Sequence, residues 1–129
     1  MTISERMSRI RSKNTGPERA MARLLRGAGI RFRRHQKLPG TPDFRLAGLR
    51  VVLFVDGTFW HGRNGWSKLK PFWRKKIKRN VQRDIEVNLA LKSRAWIVIR
   101  VWEDELESSM PRIMRVWKRE SSRLATSSR

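Results

Sequence analysis

The sequence predicts an α/β fold: one mixed sheet with helices packed against it. Three observations carry this. Two apolar runs rich in β-branched residues, VVLFV at 51–55 and AWIVIRVW at 95–102, read as buried strands. A stretch of helical periodicity opened by Pro71 lies between them. A further helical stretch stands on either side, so the order is helix, strands, long helix, strand, helix.

Residues 1–14 are polar and basic with isolated apolar residues such as Met7 and Ile10, and are expected to form a flexible basic arm. The globular domain is placed at 15–120. Thr15-Gly16-Pro17-Glu18 opens the first helix, with Thr15 as N-cap, Pro17 early in the helix and Glu18 completing a capping box. Met21, Leu24, Leu25 and Ala28 form its buried stripe, and Gly27 and Gly29 end it. Ile30 to Lys37 is a short basic edge segment, in which His35 reads as a phosphate contact or plain surface. Leu46 to Asp56 forms two strands joined at Ala47-Gly48, and a basic loop follows from Gly62 to Lys70. In the long helix, Trp73, Ile77, Val81, Ile85 and Leu89 recur at every fourth position and predict its buried face. The run Ala95 to Trp102 suits a central strand covered on both sides. A last helix after Ser108 or Ser109 carries Met110, Ile113, Met114 and Trp117 inward, and 121–129 is expected to fray.

Composition narrows the function. The 129 residues contain no Cys, which excludes disulfides and thiolate metal sites, and no apolar run long enough to span a membrane. Thirty-one Lys and Arg against eleven Asp and Glu give a net charge of +20, which points to a polyanion partner. No acid lies between Glu18 and Asp43 or between Asp56 and Asp84, and nine basic residues fill Arg63 to Arg83. The acids Asp43 and Asp56 thus sit in a basic field that suits a phosphate substrate.

Asp43 is expected on the first strand of the hairpin and Asp56 at the exit of the second, where antiparallel pairing brings them together. Two converging carboxylates repel, and a hard divalent cation relieves the repulsion. A Mg²⁺ site at a sheet edge, shared by Asp43, Asp56 and the imidazole of His61, is the central expectation. Both acids are also ordinary turn residues, after Pro42 and before Gly57.

Taken together, Met7 to Ile10, Asn14 to Glu18, LPGTPDF, LFVDGTFWH, FWRKKIKRNVQRD and VIRVWEDEL closely resemble the very short patch repair (Vsr) DNA mismatch endonucleases. The resemblance runs from about Met7 to Leu106. It implies a restriction-endonuclease-like fold and Mg²⁺-dependent nicking of duplex DNA beside the T of a T·G mismatch. It further implies that Asp43 binds Mg²⁺ together with the backbone carbonyl of Val55, that His61 transfers a proton and that Glu18 supports the site. Phe59, Trp60 and Met7 correspond to residues that wedge into the duplex. Where a well-known member has histidine before the glycine of LFVDG, this chain has Asp56, which leaves open whether that acid binds metal. The family's structural zinc site, of Cys, His and Asp, meets Arg63, Asn64, Gly65 and Asp104 here, so no zinc is expected. Asp84 is then available to an arginine, and packing by Trp66, Trp96 and Trp102 holds the fold.

Arg74, Lys75 and Arg79 are expected to grip the DNA backbone. We expect a monomer of the bacterial cytoplasm, acting on double-stranded and mismatched DNA, with repair proteins as further partners. Two other readings stay open: a nuclease of a restriction or mobile-element system without mismatch preference, and a non-catalytic basic DNA-binding protein.

Overall fold

A computed structural model of the chain describes residues 16–58 and 69–127. Helix α1 spans Gly16–Gly27 and buries Met21, Ala22 and Leu25. Its end is tied by Gly29 N–H to Arg26 O and Ile30 N–H to Leu25 O, both 3.0 Å, with Gly29 at φ 76°. That left-handed turn is what glycine supplies at a helix C-terminus. Strand β1 (Phe32–Arg34) pairs antiparallel with β2 (Phe44–Leu46), which pairs antiparallel with β3 (Val51–Asp56). The expected turn at Ala47-Gly48 joins the last two, closed by Leu49 N–H on Leu46 O at 3.1 Å. Asp43 does not lie within β2 but immediately precedes it.

Helix α2 (Pro71–Ser93) crosses from β3 to β4 (Ile97–Trp102), which runs parallel to β3. Helix α3 (Leu106–Ser127) closes the domain. The sheet order β1-β2-β3-β4 is mixed and flanked by three helices, the restriction-endonuclease-like architecture. None of the described helices is long and apolar enough to cross a membrane.

The pleat divides β3 between two cores. Val51 and Leu53 join Met21, Leu25, Phe44, Ile99 and Ile113 in a layer with α1 and α3. Val52 and Phe54 join Leu91 and Trp96 on the α2 side. A strand apolar on both faces is buried on both, as its continuous run suggested.

Three features differ from the sequence expectation. Strand β4 lies at the edge of the four described strands, with β3 inside. Its apolar run follows from cover on both faces, and Arg112 of α3 reaches its outer edge by donating to Arg100 O at 2.7 Å. Helix α3 is longer at both ends, starting at Leu106 and continuing through Ser127, although Met110, Ile113, Met114 and Trp117 do face the core.

The third difference is the face of α2. Ile85 and Leu89 are 49% and 63% exposed, and only Ile77 and Leu91 are fully buried. Four residues turn a helix about 40° beyond a full circle, so the series from Trp73 to Leu89 drifts by about 160°. The inward face follows the true helical period instead, through Ile77, Asp84, Val87, Asn88 and Leu91. Polar residues lie on it because an arginine of the sheet meets them there.

Helix α2 ends as α1 does, with Ala95 N–H on Lys92 O and Trp96 N–H on Leu91 O, both 3.0 Å. Here Ala95 occupies the left-handed position, at φ 66°, where a Cβ is unfavourable. Ala95→Gly is expected to stabilise the protein by about 0.5–1 kcal/mol, the relief of strain exceeding the added freedom of the unfolded chain. A thermal melt checks this, and a lowered midpoint would refute it.

Candidate active site

The segment LPGTPDF delivers Asp43 by a close approach of backbone to helix. Gly40, at φ 75°, lies so near α2 that a Cβ there would stand 2.6 Å from Val87 Cγ1. Thr41 follows at φ 45°, and Pro42 is fully buried. The chain therefore turns sharply and enters β2 with the Asp43 carboxylate aimed at β3, where Oδ2 accepts the Val55 N–H at 2.7 Å.

Glu18 arrives from the first turn of α1. The capping box it was expected to form involves Thr15, which lies outside the described residues; its carboxylate, also expected to support the site, is 10% exposed, and Oε2 accepts Arg34 Nη2 at 2.8 Å and lies 3.0 Å from His35 Nε2. A signal for this was present. Glu18 stands three before Met21 and seven before Leu25, on the buried stripe, and an acid on an apolar stripe needs partners there.

His35 is the residue that sequence reasoning missed. It follows β1 at φ 49°, its N–H bonded to Asp43 O at 3.3 Å, and its ring is turned toward the acids rather than serving as plain surface. Glu18, His35 and Asp43 each offer one donor atom, all within 4.8 Å of one another.

The electrostatics follow from this packing. Burial pushes the Asp43 carboxyl up from its ordinary 3.8 to about 7, against the lowering effect of the Val55 N–H. The charge of Glu18, its hydrogen bond and the charge of Asp56 push the same way as burial. A site that makes a carboxylate this costly to ionise favours a cation. Two carboxylates and an imidazole form a donor set that fits a divalent ion.

The pleat sends Asp56 elsewhere. It lies on the Val52 and Phe54 face, and its Oδ1 accepts Arg100 Nη1 at 2.9 Å. Arg100 also lies 3.5 Å from Asp84 and donates through Nε to Asn88 at 2.8 Å, so Asp84 does pair with an arginine. The acid brought beside Asp43 is Glu18, across from the side on which Asp56 meets its arginine. Among the other expected site residues, Val55 is at Asp43, and Arg74, Lys75 and Arg79 lie exposed on α2. Phe59, Trp60, His61, Trp66 and Met7 lie outside the described residues. The Thr58 N–H donates to Glu103 Oε1 at 3.3 Å, tying the residues just after β3 to the chain beyond β4.

Asp43 and Glu18 set together at the end of a mixed sheet of this topology fit the restriction-endonuclease-like class. Comparison with known proteins narrows the class. The family model described as DNA mismatch endonuclease Vsr matches residues 1–68. The type II nicking enzyme V.XorIIP of Xanthomonas oryzae pv. oryzae is 45% identical over 106 residues, covering 78% of each chain. V.NmeDIP, a type II nicking enzyme of Neisseria meningitidis serogroup C, is 39% identical over 104 residues, covering 74% of this chain and 70% of its own. The DNA mismatch endonuclease Vsr of Escherichia coli K12 is 38% identical over 108 residues, covering 79% and 69%. The chain belongs to the Vsr family and is a Vsr-like DNA endonuclease.

Proposed function

We propose that this protein nicks double-stranded DNA beside the thymine of a T·G mismatch, using Mg²⁺ held by Asp43. The observation that carries this is the Asp43 carboxyl, fixed by the Val55 N–H and set against Glu18 at the sheet end. Asp43 and the Val55 carbonyl would hold the ion, with Glu18 beside them. When bound, it would polarise the scissile phosphate and acidify a water.

The protein's own residues do the rest. Arg74, Lys75 and Arg79, exposed on α2, bind backbone phosphates without reading sequence. Phe59, Trp60 and Met7 enter the duplex where the mismatch has weakened stacking. His61 takes or relays the proton, since an imidazole serves either role near neutral pH. Asp56 stays with Arg100 and braces the end of β3.

The test is an end-labelled duplex carrying T·G or a matched pair, with and without Mg²⁺. A Mg²⁺-dependent nick beside the T of the mismatch is expected, and Phe59→Ala with Trp60→Ala should erase the preference over matched DNA. Equal cutting of both duplexes by the parent would assign a nuclease without mismatch preference. An absence of any cleavage would leave a DNA-binding protein.

A further inference from the structure

We propose that His35 is a nitrogen donor to the cation site, so that the site holds Mn²⁺ or Co²⁺ more tightly than Mg²⁺. The inference rests on the reading of Asp43 as a cation ligand, and it adds an imidazole to what would otherwise be a set of oxygen donors.

The first support is spacing. His35 Nε2 lies 3.0 Å from Glu18 Oε2, and both are within 4.8 Å of an Asp43 oxygen. Two ligands at right angles on an octahedral ion with bonds of about 2.1 Å stand about 3.0 Å apart. The imidazole and the carboxylate already have the separation that one ion would impose on them.

The second support is the backbone. His35 is held at φ 49°, a conformation that costs an L residue free energy. The neighbouring structure enforces it, because Arg34 pairs with Phe44 and the His35 N–H reaches Asp43 O. The turn brings the ring to the acids, and its side chain remains 22% exposed, so an ion can reach it.

The third is that Glu18 does not require the imidazole as a counter-charge. Arg34 Nη2 donates to the same oxygen at 2.8 Å, and Arg34 itself stacks on Phe44 with Cζ 5.2 Å from the ring centroid. Coordination uses the Nε2 lone pair. The ring therefore takes the tautomer with its hydrogen on Nδ1, and the ion replaces the direct contact between His35 and Glu18.

Chemistry then sets the preference. Mg²⁺ selects oxygen ligands and water, whereas imidazole suits the later first-row ions, whose affinities rise from Mn²⁺ to Co²⁺.

The test is direct cation binding to the full chain without DNA, by calorimetry for Mg²⁺, Mn²⁺ and Co²⁺ and by the visible absorption of Co²⁺. His35→Asn is the principal variant, because asparagine tolerates positive φ and keeps an oxygen donor. His35→Gly is the second, as it relieves the backbone entirely, and circular dichroism confirms the fold of both. Co²⁺ affinity should fall about tenfold or more in both variants with a changed absorption band, while Mg²⁺ affinity stays within about twofold. Unchanged Co²⁺ affinity and spectrum, or a parent that prefers Mg²⁺, would overturn the inference. Asp43→Ala separates the two ideas: if it leaves Co²⁺ binding intact, the cation site itself is misplaced. If it abolishes binding that the His35 variants retain, only the role of His35 falls.

Discussion

Asp43→Asn is expected to lose nicking by on the order of 10²-fold or more and yet to melt at a higher temperature than the parent at pH 8 without divalent cations. The cause is the burial that lifts this carboxyl from 3.8 to about 7. In the folded protein it keeps its proton across a range in which the unfolded chain has released it. Stability therefore falls as pH rises from about 4 to 7, and the loss is complete above the folded value. Asparagine is neutral throughout. It still accepts the Val55 N–H through its carbonyl oxygen and presents N–H donors to Glu18. A gain of about 1–3 kcal/mol at pH 8, shrinking toward pH 4, is the expected size. Calorimetric melts at pH 5 and pH 8 in a chelator measure it, and a variant less stable than the parent at pH 8 would count against the burial argument. Cation binding draws the same proton away, so the parent's apparent cation affinity should rise with pH up to about 7.

The second large effect belongs to Arg100. Its guanidinium lies between sheet and α2, on Asp56 at 2.9 Å and Asp84 at 3.5 Å, with Cζ 4.1 Å from the Phe54 ring centroid. All three charged side chains are at least three-quarters buried, with exposures of 19%, 10% and 22%. Arg100→Met fills much of the same volume but takes this guanidinium away from two largely buried carboxylates, a change that costs about 3–5 kcal/mol. Adding Asp56→Asn should recover part of it, because the neutral amide is cheaper to bury there. Urea denaturation of the two variants provides the comparison. A loss below about 1 kcal/mol for Arg100→Met would show that solvent already screens this cluster.

Much of this molecule could be read from its residues. The strand at 51–56 and the turn at Ala47-Gly48 announce themselves because a doubly covered strand must be apolar throughout and a tight turn wants glycine. The position of Asp43 is legible as well, since an acid after a proline and ahead of that hairpin falls where β2 begins, beside β3. The long helix was legible in extent but not in orientation. An every-fourth apolar series looks like a stripe on paper, yet on a straight helix it winds to the solvent side by Ile85 and Leu89.

By itself, the chain determined its class of fold, its strong positive charge and the place of the acid at position 43 ahead of the hairpin. These depend on local pattern and summed charge, which need no partner in space. Tertiary structure alone decided which groups share that acid's surroundings. The pleat assigns each side chain of β3 to one face or the other, and when both faces are apolar the order of residues does not say which layer Asp56 joins. The backbone bend at His35 and the packing of α1 on the sheet bring residues 18, 35 and 43 into one cluster, a convergence that follows from docking rather than from sequence spacing.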